Sequence, residues 1–185
     1  MRFAGLALLV LPLSDLRTEI EQDWSSADVA TTRLKPSEFA EVPIAIRTEL
    51  ERRGCTVPQP HGATRPTNVI SGKFTSSAMM DWAALCSRDR ISVILVFRGA
   101  STTGVAELAR QPDREFLQTV SGSAIGFSRG LGVASATFIK QHHDAKSDPP
   151  LPPLDHEGID DRFIGKGSVV RYWSSGRWLQ FTGSD

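Results

Sequence analysis

The residue types able to do chemistry gather late in the chain, in His142-His143-Asp144 and again in Asp155-His156-Glu157-Gly158 with Asp160-Asp161. Imidazole beside carboxylate can run general acid–base chemistry or bind zinc. Asp155, His156 and Asp160 are the candidate catalytic residues, because Gly158 lets the chain turn back on itself and bring them together. His142, His143, Asp155 and His156 are the candidate metal ligands. The spacing matches no defined signature, since neither His-Glu-x-x-His nor a pair of Cys-x-x-Cys is present. Adjacent histidines also point in different directions on a helix or a strand. The weightier reading of the cluster is a solvated helix end followed by a hydrogen-bonded turn, which leaves no metal expected.

Other chemistries find less support. Ser128-Arg-Gly and Ser121-Gly-Ser123 lack the Gly-x-Ser-x-Gly elbow of a serine nucleophile. There is no phosphate-cradling Gly-x-x-x-x-Gly-Lys, and Gly130-Leu-Gly132 is too short for a dinucleotide fingerprint, so no cofactor is expected. Cys55 or Cys86 as a catalytic thiol would need a base such as His61; pairing of the two cysteines is simpler. A Cys55–Cys86 bridge would stabilise the fold by roughly 3–4 kcal/mol in the chain-entropy view. Trp82, Trp173 and Trp178 with Tyr172 could stack on a ligand, although aromatics at alternating strand positions are more often core.

The elements that must position these groups are legible in part. Lys35-Pro36-Ser37-Glu38 reads as a helix start, and Phe39, Val42, Ile46 and Leu50 then give one apolar face. Pro43 inside this run predicts a break or kink near residue 42. Arg52, Arg53 and Gly54 supply the C-terminal charges and a left-handed cap, delivering Cys55 at the exit. Residues 55–66 are proline-rich and extended. Over 68–97 three short strands follow, and the last, Ile91 to Phe97, is apolar on both faces, as a central strand should be. Gly99 to Gly104 is a turn or loop, 115–120 and 124–127 read as strands, and 136–145 is a short helix or strand. Asp148 to Asp155 is a polyproline-like connection. Ser168 to Trp173 and Arg177 to Thr182 flank Ser174-Ser-Gly176 as a hairpin. The expected fold is α+β: an antiparallel sheet of short strands, an N-terminal helix packed on it and a C-terminal β-hairpin.

At 185 residues the chain suits one domain, placed over 34–185. Lys plus Arg equals Asp plus Glu at 21 each, which argues against a nucleic-acid partner and against adsorption to an anionic membrane. Phe3 to Leu13 is an apolar run after a single Arg2, the length of a signal-peptide core and too short to span a bilayer. Residues 1–14 are therefore expected to be a signal peptide and 15–33 a linker or disordered N-terminus, with no transmembrane segment. Two cysteines beside such a leader fit an exported, disulfide-linked protein.

Phe39, Leu50, Gly54-Cys55, Pro58-Gln59, Asp81-Trp82-Ala83, Leu85-Cys86-Ser87 and Ile94 to Phe97 resemble a family of small uncharacterised bacterial secreted proteins. The likeness continues into Asp155-His156, Gly158-Ile159 and the Trp178 hairpin. It implies export and the fold rather than a reaction. Residues 68–97 alone resemble one FG-GAP or VCBS-type unit, whose loop holds calcium through several aspartates. Here that loop, Thr75 to Asp81, has one carboxylate, against the 6–8 oxygen ligands calcium takes. The leading expectation is an exported protein without catalytic activity, binding a protein or small ligand or joining an envelope assembly. The alternatives are a metal-assisted or acid–base hydrolase using Asp155, His156 and Asp160, and an inhibitor of another secreted protein.

Overall fold

The computed structural model describes residues 23–184. The expected signal peptide at 1–14 and the first part of the expected linker, 15–22, lie outside the described residues. The rest of that stretch differs from expectation: 23–30 is a helix, α1, and β1 (Arg33–Leu34) follows it. Polar composition concealed this order, because the segment is held by charge. The Arg33 guanidinium reaches Asp28 of α1 at 2.9 Å and the fully buried Asp113 at 2.8 Å.

A 3-10 turn, Pro36–Glu38, precedes helix α2 (Ile44–Arg52). Pro43 does not kink a longer helix; it stands immediately before α2, where a missing N–H costs no helical bond. Phe39, Val42, Ile46 and Leu50 are all buried, but only Ile46 and Leu50 lie in α2; Phe39 and Val42 belong to the turn before it, so the expected helix begins later than its spacing implied. Gly54 takes the left-handed conformation (φ +70°), and the Cys55 N–H returns to the Leu50 carbonyl at 2.9 Å. The bridge from Cys55 to Cys86 is formed, with Cα atoms 5.0 Å apart.

The chain is α+β with antiparallel sheets, as its patterning predicts. β2 (Val57–Pro58) pairs with β1. β3 (Val69–Gly72), β4 (Asp81–Arg88), β5 (Ile91–Phe97) and β6 (Ala106–Pro112) form one sheet in sequence order. The β4–β5 hairpin turns on Asp89 and Arg90, both at positive φ, which suits the strand twist. Ala84, Cys86, Val93, Leu95 and Phe97 pack under α2, while Ala83, Leu85, Ile94 and Val96 face the other way.

That second face is covered by another sheet. After the ribbon β7 (Leu117–Ser121) and β8 (Ala124–Phe127) come β9 (Arg129–Ala134), α3 (Ala136–His142), β10 (Gly158–Phe163), β11 (Gly167–Ser174) and β12 (Arg177–Thr182). Strands β12-β11-β10-β9 make the sheet, so the C-terminal hairpin belongs to this second layer. Leu131 and Ile159 meet Leu85, Ile94 and Val96 in the middle of the molecule. Ala134, Val170, Tyr172 and Phe181 face outward beneath Ile139 of α3.

Asn68 joins the two sheets. Fully buried and at φ +68°, it donates through Nδ2 to the carbonyls of Pro58 (2.7 Å) and Arg129 (3.1 Å). Its Oδ1 accepts the Leu131 N–H at 2.8 Å. One side chain thus supplies the donor and acceptor that a neighbouring strand would give to the open edge of β9.

Candidate functional site

The late polar cluster is dispersed by the fold, and only part of it reaches a cleft. His156 lies in the irregular segment before β10, its ring stacked on Tyr172 at 4.3 Å and 10°. The side chain is 6% exposed, so it is not a solvated imidazole. Its Nδ1 is 3.0 Å from the Glu157 carbonyl, an acceptor only, so Nδ1 carries a proton and donates it there. Asp155 Oδ1 stands 3.8 Å from Nε2. The Tyr172 hydroxyl donates to the Pro153 carbonyl at 3.0 Å and accepts the Asp155 N–H at 3.2 Å. Burial raises the Tyr172 phenol against the lowering effect of the His156 and Asp155 backbone.

The segment is tied to the first sheet at Glu157. Its N–H donates to the Lys73 carbonyl (2.9 Å), and its Oε2 accepts the Lys73 N–H (2.8 Å). Gly72 permits this approach, since a Cβ there would sit 2.6 Å from the Phe74 ring and 3.0 Å from Glu157 Oε2. Together Asp155, His156 and Glu157 line a cleft of about 430 Å³ with Lys73, Ser77 and Met80.

Asp160 does not join them. Gly158, expected to turn the chain back, is instead the buried first residue of β10, where a Cβ would meet Val170 Cγ1 at 2.7 Å. The strand carries Asp160 away to its outer face, where it binds Arg162 at 2.7 Å. The Arg162 guanidinium lies so close over Gly132 of β9 that a side chain there would overlap it.

His142 and His143 are equally committed to the fold. His142 Nδ1 donates to the Phe138 carbonyl (2.9 Å) and its ring packs on Phe138, while His143 Nε2 donates to the Pro149 carbonyl (3.0 Å). Asp144 accepts from the Lys146 N–H and the Ser147 hydroxyl, and these bonds hold its carboxyl below the usual range. Among the described residues, no group of three or more His, Cys, Asp or Glu side chains is placed to hold a metal ion. In the 75–81 loop the single carboxylate, Asp81, is fully buried and filled by the Thr75 N–H, the Thr75 hydroxyl and the Gly99 N–H. Of the aromatics weighed as a stacking surface, Tyr172 is core, whereas Trp173 and Trp178 are half-buried, edge to face at 5.5 Å, with Arg98 over Trp173.

The concave surface that sequence reasoning missed lies at His61. Loop 60–66 leaves β2, and the buried Gln59 clamps both of its ends: Nε2 donates to the Val57 and Thr67 carbonyls, and Oε1 accepts the Thr67 N–H at 2.8 Å. The His61 N–H donates to the Phe127 carbonyl of β8 at 2.7 Å. Its side chain then lies against Gly126, where a Cβ would come within 2.7 Å of His61 Cβ and 2.9 Å of Cγ. On one side a cleft of about 390 Å³ opens between α1, loop 60–66 and β8. On the other, a cleft of about 400 Å³ runs to Gln118, Ser128 and Ile164. Pro60, His61 and Phe127 belong to both, so His61 forms the ridge between two lobes. The available signal was the spacing of Pro58, Pro60 and Pro66 around Gln59, which marks a stiff, braced loop rather than a mere crossing.

No protein-family model, curated protein or solved structure matches this chain.

Proposed function

We propose that the protein is exported and acts by binding, without catalysing a reaction, and that the paired clefts flanking His61 are its ligand site. The braced ridge carries this reading: His61 is fixed through its backbone on β8 and seated on a glycine, while its side chain stays exposed between two cavities of ligand size. Export is supported by the buried disulfide and by the apolar run Phe3 to Leu13. The resemblance to small bacterial secreted proteins points the same way.

Isotope-labelled protein screened against a fragment library should show amide shifts clustered at His61, Ile125 and Gly126, and His61→Ala should weaken them. Shifts confined to residues 155–157 would overturn this assignment. N-terminal sequencing of protein recovered outside the cytoplasm tests export; an intact Met1 would sink the signal peptide.

One observation favours a second reading, the hydrolase. His156 has its Nδ1 proton held by a carbonyl and its Nε2 beside Asp155, within a cleft that Ser77 also lines. Asp160 has no part in it. Turnover of p-nitrophenyl acetate, phosphate or glucoside that His156→Asn abolishes would establish this reading, and turnover unchanged by that substitution would end it.

A further inference from the structure

The ligand class of the His61 site follows from what the chain itself does there. Between 57 and 61 the backbone behaves as an added strand: the Gln59 N–H donates to the Thr32 carbonyl at 2.8 Å and the His61 N–H to the Phe127 carbonyl at 2.7 Å. At Gly62, with φ +75°, the chain turns out of line and the addition stops. β8 continues past that point. It pairs with β7 alone, and the register sets Gln118 opposite Gly126 and Thr119 opposite Ile125.

In an antiparallel pair, successive residues present their N–H and C=O alternately toward and away from the partner strand. The Phe127 carbonyl points away from β7, to His61. Ile125, two residues earlier, therefore points its N–H and C=O the same way. Ile125 lines the cleft between α1 and loop 60–66, and no described residue pairs with those two groups. The cleft thus begins where the protein's own strand addition ends.

The geometry points to an extended peptide as the ligand, adding to the edge of β8 at Ile125 in continuation of residues 59–61. This rests on the His61 clefts being the binding site. Main-chain pairing supplies affinity in such a mode, and pockets under alternate side chains supply preference. Ala27, Ala30 and Leu34 also line the cleft and offer apolar contact to the side chains of an uncharged peptide.

The test uses the capped tetrapeptide Ac-Thr-Val-Thr-Val-NH2, its backbone N-methylated form, and cellotetraose as a carbohydrate of similar length. The capped peptide should shift the His61 and Ile125 amides and slow Ile125 hydrogen exchange at least tenfold. N-methylation should weaken binding at least tenfold with the protein unaltered. Ile125→Pro removes the outward N–H at an edge position where proline is tolerated, along with a side chain that packs on the inter-sheet core, and should produce the same loss; Ile125→Val, which trims the side chain and keeps the N–H, should not. Equal binding of the methylated peptide overturns the inference even where Ile125→Pro fails to fold. Fragment or cellotetraose shifts at His61 with none from the peptide would leave the cleft standing as a site and remove the peptide as its ligand. No response at His61 to any of these probes would remove both.

Discussion

Toward α2 the first sheet presents Ala84, Cys86, Val93, Leu95 and Phe97 and is pinned through Cys55–Cys86, whereas the second sheet brings Arg129, Asp161 and Arg171 to the buried layer between the two. Arg129 is fully buried. It donates through Nε and Nη2 to the two Asp161 oxygens (2.8 and 3.0 Å), through Nη1 to Ser92 (2.9 Å) and through Nη2 to the Ala109 carbonyl (3.0 Å). Phe116 covers the guanidinium at 4.3 Å. Burial pushes the neighbouring Arg171 guanidinium down, against the pull of Asp161. One half of the molecule is thus held by area removed from water and a covalent staple. The other adds to its apolar packing a buried polar network that ties it to the first sheet, whose members depend on one another. The first tolerates imperfect contacts; the second specifies one register and loses heavily when a member is removed.

The largest effect tests the polar half. Arg129→Met keeps much of the side-chain volume but leaves Asp161 buried with only Arg171, at 3.5 Å. Removing one partner of a buried pair costs about 3–5 kcal/mol, read as a fall in the urea midpoint. A loss under about 1 kcal/mol, the scale of an exposed pair, would mean that both halves are held alike by apolar contact. The disulfide tests the other half. Replacing Cys55 and Cys86 together by serine frees a loop with a sequence separation of 31. The expected cost is about 3–4 kcal/mol in the chain-entropy view. Native-state hydrogen exchange should place that loss first in β3–β6 and α2; equal loss of protection in β9–β12 would show that the halves open as one.

The same contrast explains what could be read in the sequence. Strands β4 and β5 were legible because burial on both faces writes itself as short apolar runs bounded by turn residues, and α2 because Ile46 and Leu50 keep a helical spacing ahead of Arg52, Arg53 and Gly54. Strand β9, Arg-Gly-Leu-Gly-Val-Ala, carries little β-propensity and could not be seen. Its place is set by Asn68 and Arg129, and its glycines are there for the side chains that lie on them, Ile164 over Gly130 and Arg162 over Gly132. Strand β10 was hidden likewise, with Asp160 and Asp161 read as chemistry when both are buried partners of arginines. His156 was found because imidazole next to carboxylate is visible in any sequence. The His61 ridge was not, because it depends on Gly126, distant in the chain, having no side chain.

Charge also enters the first half, at the buried Asp81 of β4, at Asp113 bound to Ser87 of β4, and on α2 at Glu49, where the expected effect is smallest. On α2, Glu49 accepts from Arg52 at 2.7 and 2.8 Å and from Arg53 at 2.8 Å. The bond from Arg52, then that from Arg53, lowers its carboxyl from 4.5 to about 2. A carboxyl depressed in the folded state contributes stability above its unfolded value, and that contribution is lost as pH falls toward the folded value. The window therefore runs from about pH 4.5 down to about pH 2. Arg52 reaches into solvent, so the pair is screened and the effect is modest. Glu49→Gln should change the urea midpoint little near pH 2 and lower it slightly at neutral pH, so that the two proteins converge on acidification. Curves that stay parallel across the window would show that the arginines gain nothing from the folded geometry of α2.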